Sequence, residues 1–295
     1  MKIGIIGLGE MGGAMMDRLL LAGSDAYGYN RTKPKAQRYV ERGMKLLDTP
    51  RDVASTCDIV VTMVTNESAL HAVTDGEDGI LAGLTRGKYW VEMSTISPDA
   101  IRDLAKRVEP TGATLLDAAV LGSQLTVEQG HLLIMLGGPE DACERVEEPL
   151  QAIGPNVRRI GDIGHAKVMK ISLNLAMPVQ ILALSEGVIL AEKNGIDRKT
   201  ALDMMLGGAV ASPMLKYRAP FIMKMPEKAW FDVGMMQKDV MLALELARES
   251  AVPLPTASVA NEFLTSAKAL GLGDRDFAAL FYALATMAGV DSTVR

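Results

Sequence analysis

Short apolar runs alternate with stretches of helical spacing through roughly the first 160 residues, and this alternation restricts the fold more than any other feature. The runs have the length and composition of buried β-strands. Because strands joined through helices run parallel and are covered on both faces, this half of the chain predicts an α/β domain with a parallel sheet. The predicted strands are KIGIIG, DAYGY, DIVVTMV, KYWVEMS, TLLDAAV and LLIMLGG.

The pattern changes after residue 162, where helical spacing takes over to the end of the chain. Residues 163–194 are predicted to form one long helix that ends at an Asn-Gly pair. Pro178 lies inside it and predicts a kink or a local break, because proline has no backbone N–H to donate. A chain of 295 residues is long for one core. We therefore predict a sheet domain over 1–162 and an all-helical domain over 163–295.

Composition excludes several classes of function. The net charge of −5 argues against nucleic-acid binding. Cys57 and Cys143 are too few for a disulfide framework and are expected to be buried thiols in a reducing compartment. The three histidines are scattered, so we expect no metal site.

The N-terminus does not fit a signal peptide, and residues 171–191 carry too many polar side chains for a membrane span. The sequence thus favours a cytoplasmic location.

A G-x-G-x-x-G motif directly follows the first predicted strand and opens a helix. The first glycine permits a tight turn, the second lets a pyrophosphate approach the backbone, and the third lets helix and strand pack closely. The helix N-terminus then presents unpaired N–H groups to the phosphates. We therefore expect a dinucleotide to lie against Gly7, Leu8, Gly9, Glu10, Met11 and Gly12.

The end of the second strand predicts which dinucleotide is bound. An NAD site usually has an acidic residue there for the ribose hydroxyls. This chain has Asn30, Arg31 and Thr32 instead. A 2′-phosphate would meet a guanidinium, a hydroxyl and an amide in place of a repelling carboxylate, so NADP(H) is favoured. The alternative is a solvated basic turn, which would leave the missing acid unexplained.

Two further loops follow strands at the same predicted edge. Met63 and Val64 could cover the adenosine ribose, and Ser94 and Thr95 end another strand. Ligands of doubly wound folds bind outside the carboxyl ends of the strands. Taken as an isolated loop, each is more often structural than functional.

Four segments in order resemble the β-hydroxyacid dehydrogenase family, over nearly the whole chain, and look most like its glyoxylate/succinic semialdehyde reductases. The resemblance implies an N-terminal Rossmann domain with a parallel sheet, a long interdomain helix and an all-helical C-terminal domain. It also implies an active site in the cleft, a small carbonyl substrate and a homodimer or homotetramer. The segments are GLGEMGGAM, EMSTISP, DAAVLGSQLTVEQGHLLIMLGG and GDIGHAKVMKISLN.

The resemblance also carries site residues onto this chain. It implies nicotinamide contacts near Thr95 and Lys238, and a loop over 117–123 that holds the substrate carboxylate. Ala119 and Leu121 stand where the family usually has proline and serine. The loss of that serine hydroxyl predicts a preference for a longer or more apolar substrate than glyoxylate. The expected substrate contacts are Ser94, Leu121, Gly122, Ser123 and Asp239, with the Ser123 hydroxyl and the backbone N–H groups of Gly122 and Ser123 as anion donors.

Two lysines compete for the catalytic role. Lys167, Lys170 and Asn174 fall within about 60° of one another on a helix, so helical geometry does not decide. The family's pattern has a glycine six residues before the catalytic lysine, an asparagine four after it and a glutamate sixteen after it. Lys170 has Gly164, Asn174 and Glu186 at those offsets. The resemblance thus assigns Lys170 as catalyst and Asn174 as orienting residue, and Lys167→Ala is expected to be mild.

The resemblance implies NADPH-dependent reduction of small semialdehydes or 2-oxo acids such as succinic semialdehyde and glyoxylate. Lys170 would give a proton to the alkoxide formed by hydride transfer. Three alternatives stay open: a 3-hydroxyisobutyrate-type dehydrogenase using NAD, an imine reductase, and a non-catalytic scaffold of the same fold. The absence of an acidic residue after the second strand argues against the NAD-dependent dehydrogenase. Lys170 argues against the imine reductase and the non-catalytic scaffold.

Overall fold

A computed structural model describes residues 1–291 and 293. The chain divides into two compact units, Met1–Lys170 and a second that begins at Ile171. The boundary predicted at residue 162 precedes this division, and helix α9, His165–Asn174, runs across it.

The first unit is built on one sheet with the strand order β3-β2-β1-β4-β5-β6-β7-β8. Its first six strands follow the order of dinucleotide-binding folds. In these folds the strands are added first on one side of β1 and then on its other side. Apolar residues of both sheet faces are buried under helices, so the predicted fold class is confirmed. The strands are β1 Ile3–Ile6, β2 Ala26–Tyr29, β3 Lys45–Leu46, β4 Ile59–Thr62, β5 Tyr89–Glu92, β6 Thr114–Leu121, β7 Leu133–Gly137 and β8 Asn156–Gly161.

Side-chain caps mark where some helices of the first unit begin. Asn66 and Ser97 cap two of them by accepting hydrogen bonds from Ala69 and Ala100 N–H. Short 3₁₀ segments cover Lys33–Ala36 and Glu109–Thr111. The α-helices are α1 Glu10–Leu21, α2 Gln37–Val40, α3 Pro50–Thr56, α4 Glu67–Thr74, α5 Ile80–Gly83, α6 Pro98–Val108, α7 Gln124–Glu128 and α8 Glu140–Gln151.

The sheet departs from the prediction at its β6–β8 side. β6 and β7 pair antiparallel, because the connection from Leu121 to Leu133 contains only the five-residue helix α7 and no crossover back to the start of the sheet. β8 is missed by the sequence pattern. It is an edge strand whose Arg158 and Arg159 are exposed, so it has no apolar run to detect.

The second unit is helical throughout its described residues. The long predicted helix is divided at Leu175, because Pro178 has no N–H to donate to the carbonyl of Asn174. This confirms the predicted local break. After α9 the helices are α10 Ala176–Lys193, α11 Arg198–Gly207, α12 Pro213–Arg218, α13 Val233–Glu249, α14 Pro255–Ala269 and α15 Leu280–Ala288, with 3₁₀ segments at Ala219–Ile222 and Phe277–Ala279.

Both cysteines are free and buried, as predicted. Burial raises the pKa of the Cys57 thiol to about 12, so this thiol is chemically inert near neutral pH. One helical run, His165–Lys193, is long and apolar enough to cross a membrane by length and composition. Core helices of globular proteins meet the same test, and this run carries buried Asn174 and Ser185.

Candidate active site

The carboxyl ends of four parallel strands line up at one edge of the sheet. Ile6 at the end of β1 is in register with Tyr29 of β2 and Thr62 of β4, and Thr62 is in register with Glu92 of β5. The loops that follow these strands therefore lie side by side. These loops and the first turn of α1 contain every residue of the first unit that the sequence assigns to the cofactor.

The glycine loop after β1 has the shape that a bound pyrophosphate needs. Gly7 has a φ of +98°, and a Cβ there would collide with the Met63 carbonyl oxygen. A Cβ on Gly12 would collide with the Gly7 carbonyl oxygen, whereas one on Gly9 would have no atom within 4 Å. α1 starts at Glu10 without a side-chain cap. The loop is thus tight where it packs and open beside the helix N-terminus, which fits a dinucleotide phosphate.

Asn30 connects the glycine loop to the turn after β2. Its Oδ1 accepts a hydrogen bond from Leu8 N–H at 2.9 Å, and its Nδ2 donates to the Thr32 carbonyl at 2.9 Å. The amide therefore ties the glycine loop to this turn, and its contact with a 2′-phosphate stays a prediction. Arg31 is exposed in the same turn, and its guanidinium makes no hydrogen bond or ion pair within residues 1–291.

Ser94 joins the loops that follow β4 and β5. The buried Ser94 hydroxyl accepts a hydrogen bond from Val64 N–H at 2.9 Å, and Ser94 N–H donates to Glu92 Oε1 at 2.9 Å. These contacts place Ser94 as a support for the Met63–Val64 loop and not as a substrate contact, which corrects that prediction. Thr95, the next residue, is half-buried.

Lys167 is fully buried between two carboxylates. Its Nζ lies 2.8 Å from Glu92 Oε2 and 3.2 Å from Asp117 Oδ1, and it donates to the carbonyls of Glu92 and Ala118. All three charged side chains are 0% exposed. Removing one member of a buried ion pair leaves a buried charge without a partner. We therefore expect Lys167→Ala to lower the stability of the protein, in contrast to the mild effect that the sequence predicts.

Asp117 holds the first turn of α9. Its Oδ2 accepts hydrogen bonds from the N–H groups of Gly164, Ala166 and Lys167, at 2.8, 2.9 and 3.3 Å. A carboxylate at a helix N-terminus satisfies unpaired donors and complements the helix dipole. Asp117 also lies within β6, so the predicted carboxylate-binding loop over 117–123 is a strand as far as Leu121. Asp117 thus fixes the position of α9.

Lys170 lies one turn farther along α9 and has a different environment. Its half-buried side chain donates from Nζ to the Val120 carbonyl at 3.0 Å. Val120 is the last residue but one of β6, whose Asp117 is in register with Glu92 at the end of β5. The Lys170 ammonium therefore lies toward the sheet edge at which the cofactor loops end.

The anion site expected at Gly122 and Ser123 is only partly present. The Ser123 hydroxyl accepts a hydrogen bond from Thr126 N–H at 3.4 Å, and Ser123 N–H donates to Thr126 Oγ1 at 3.1 Å. Ser123 thus caps α7, and its backbone N–H, one of the predicted anion donors, is in use. Gly122 is exposed, with a φ of +143°.

The second unit brings its three predicted site residues into one cluster. Asn174 Nδ2 donates to Asp239 Oδ2 at 2.6 Å, and Lys238 Nζ lies 2.7 Å from Asp239 Oδ1. Asp239 is 2% exposed. Asp239 therefore orients Asn174 and Lys238, and its predicted contact with substrate stays a prediction.

Comparison with known proteins identifies the family. Residues 2–161 match the NAD binding domain of 6-phosphogluconate dehydrogenase, and residues 164–284 match the NAD-binding domain of NADP-dependent 3-hydroxyisobutyrate dehydrogenase. Glyoxylate/succinic semialdehyde reductase 1 of Arabidopsis thaliana is 33% identical over 96% of this chain and 98% of its own length. The chloroplastic reductase 2 of that plant is 32% identical over 96% of this chain and 79% of its own. The chain belongs to the β-hydroxyacid dehydrogenase family.

A solved structure supports the assignment of the chain to this family. The crystal structure of 3-hydroxyisobutyrate dehydrogenase from Salmonella typhimurium is 28% identical, covers 95% of this chain and 98% of its own, and superposes with a TM-score of 0.86. This β-hydroxyacid dehydrogenase is accordingly an NAD(P)-dependent oxidoreductase that acts on hydroxyl or aldehyde groups.

The sequence prediction missed Glu92 as a partner of Lys167 in this dehydrogenase. A signal was present, since Glu92 and Asp117 each interrupt an otherwise apolar predicted strand. Charges inside buried strands are rarely tolerated unless they are paired. Two such acids predict a buried base, and Lys167 supplies it.

Proposed function

We propose that this enzyme reduces small semialdehydes and 2-oxo acids, of the succinic semialdehyde and glyoxylate type, with NADPH, and that Lys170 is the general acid. The observation that carries the proposal is the difference between the two lysines of α9. Lys167 is enclosed by Glu92 and Asp117, whereas the Lys170 ammonium lies at the Val120 carbonyl toward the carboxyl edge of the sheet. The names of the two Arabidopsis relatives support the substrate class.

The residues present account for the proton chemistry of this reaction. A reduced nicotinamide, when bound along the glycine loop, supplies the hydride that reaches the carbonyl carbon. The Lys170 ammonium donates a hydrogen bond to the carbonyl oxygen, stabilises the alkoxide that develops and gives it the proton that completes the alcohol. In the reverse direction neutral Lys170 takes the hydroxyl proton. Asn174, held by Asp239, orients the substrate or the lysine.

The cofactor preference is proposed from Arg31, an exposed guanidinium where an NAD site usually has a carboxylate. A charge-assisted contact to a 2′-phosphate is worth about 1.5–3 kcal/mol, or roughly 10- to 100-fold in affinity. Arg31→Ala is therefore expected to raise the KM for NADPH by that factor while the KM for NADH changes little. Wild type and variant are assayed with both cofactors against C2–C5 aldehydes and oxo acids. Equal effects on both cofactors, or wild-type activity with NADH alone, would remove the proposal.

Substrate size is proposed from Leu121, the last residue of β6. Side chains alternate along a strand, so Leu121 shares a face with Asp117, the residue that holds α9. A leucine offers no hydroxyl to a carboxylate and stabilises additional methylenes by about 0.8 kcal/mol each.

We expect kcat/KM to favour succinic semialdehyde over glyoxylate. Leu121→Ser is expected to shift the ratio toward glyoxylate by about 4-fold or more, from at least one methylene contact. The measurement is kcat/KM for both substrates with wild type and variant, and Leu125→Ser, an exposed leucine of α7, is the control. A ratio that is the same in wild type and Leu121→Ser would exclude position 121 as a determinant of substrate size.

We also propose that the enzyme works in the cytoplasm as a homodimer or homotetramer. Large apolar side chains are exposed on helices of the second unit, among them Leu190, Met204 and Met287. The proposed oligomer would cover some of these side chains, since contiguous apolar patches are typical of protein–protein contacts. Light scattering on the purified protein tests the proposed stoichiometry.

A further inference from the structure

A continuous set of buried polar contacts leads from the cofactor edge of the sheet to α9. It begins where Val64 N–H donates to the Ser94 hydroxyl, and continues where Ser94 N–H donates to Glu92 Oε1. The other oxygen of Glu92 meets Lys167 Nζ. Every contact in this set lies within the first unit, which contains Lys170 as its last residue.

Lys167 is the member of this set that belongs to the catalytic helix. Its Nζ contacts the carboxylate and carbonyl of Glu92 on β5, and the carboxylate of Asp117 and the carbonyl of Ala118 on β6. Hydrogen bonds to one carbonyl on each strand, with a carboxylate of each strand beside the ammonium, fix where that turn of α9 lies above the sheet. Lys170 follows three residues later and reaches Val120, two residues beyond Ala118 on β6.

Stability alone does not explain this arrangement. Glu92, Asp117 and Lys167 are fully buried, and apolar groups of similar volume often stabilise a fold as well as a buried ion pair does. Apolar groups, however, do not supply a fixed direction for each contact. The contacts instead suit a helix whose catalytic side chain must be placed precisely, because a shift of about 1 Å at a catalytic group can lower the rate about 100-fold.

We propose that Lys167 is a positioning residue for the reduction, and that its ammonium, held between Glu92 and Asp117, sets the place of the Lys170 ammonium at the end of β6. The proposal rests on the proposed role of Lys170 as proton donor. It gives the two lysines of α9 separate tasks, one in geometry and one in proton transfer. It also connects the loop that carries Val64 to the helix that carries the acid.

The test compares Lys167→Met with Lys88→Met, in steady-state kinetics and in NADPH titration. Lys88 is a matched control because it is half-buried, belongs to the same unit and donates to the carbonyls of Ser55 and Cys57, at the opposite edge of the sheet. Lys167→Met is expected to lower kcat by about 10- to 100-fold while the dissociation constant of NADPH changes less than about twofold. Lys88→Met is expected to keep wild-type kcat. A folded Lys167→Met with kcat within about threefold of wild type would overturn the proposal.

Two further variants cover the other outcomes. If Lys167→Met does not fold, the charge-free triple variant Glu92→Gln/Asp117→Asn/Lys167→Met decides in its place. A folded triple variant with low kcat and normal NADPH binding supports the proposal, whereas a wild-type kcat, or failure to fold, assigns Lys167 to folding alone. Lys170→Met separates the two hypotheses. If it stays active, the proton donor itself is misassigned; if it is inactive and Lys167→Met is active, only the positioning role fails.

Discussion

Lys170→Ala is expected to lower kcat for aldehyde reduction by about 10²–10⁴-fold, the usual contribution of a positioned general acid. NADPH binding is expected to stay nearly intact, because packing at Gly7 and Gly12 shapes the glycine loop and Asn30 holds the turn after β2. The measurement is the single-turnover rate of NADPH oxidation with succinic semialdehyde, together with a fluorescence titration of NADPH.

The control for Lys170→Ala is Lys106→Ala, which removes an exposed lysine of α6 from the same unit. Its ion pair with Asp103 is solvent-exposed, so its loss is expected to change neither kcat nor stability measurably. Turnover of Lys170→Ala at the wild-type rate would show that α9 does not supply the proton.

Asp117→Ala is expected to destabilise the protein by about 3–5 kcal/mol, the usual cost of breaking a buried ion pair. The variant would leave Lys167 with one carboxylate fewer and would remove the acceptor of three N–H groups at the start of α9. Urea unfolding followed by circular dichroism measures the change in the free energy of unfolding.

Asp99→Ala is the matched control for Asp117→Ala. Asp99 also lies near a helix start, in the first turn of α6, but its pair with Arg102 is exposed, so a change of less than about 1 kcal/mol is expected. A stable Asp117→Ala variant that had instead lost affinity for the substrate carboxylate would restore the assignment of Asp117 to an anion-binding loop.

The architecture could be predicted because its signals are local. The alternation of apolar runs and the glycine spacing at Gly7–Gly12 each act over a few residues. The antiparallel pairing of β7 and the exposed edge strand β8 could not be predicted in this way. Their pairing depends on which strand lies next in the sheet, and β8 has no apolar face to reveal it.

The roles of the candidate site residues were also only partly predictable from the sequence. Lys167 and Lys170 have nearly the same helical direction, and sequence geometry does not separate them. They differ because Asp117 holds the first turn of α9 and brings Lys167 beside Glu92. Ser94, Ser123 and Asp239 are the right residue types for binding a ligand, but each is already engaged by Val64, Thr126 or Asn174. Such contacts depend on tertiary packing, which spacing along the chain does not encode.

The central claim is that hydride passes from NADPH to a small aldehyde on this enzyme. The most direct measurement uses NADPH deuterated in turn at each of its two hydride positions, with succinic semialdehyde and mass spectrometry of the alcohol. Deuterium is expected at the former aldehyde carbon of the product from one labelled form and not from the other. Product formed without deuterium from either form, or no product with any aldehyde of the C2–C5 series, would contradict the account.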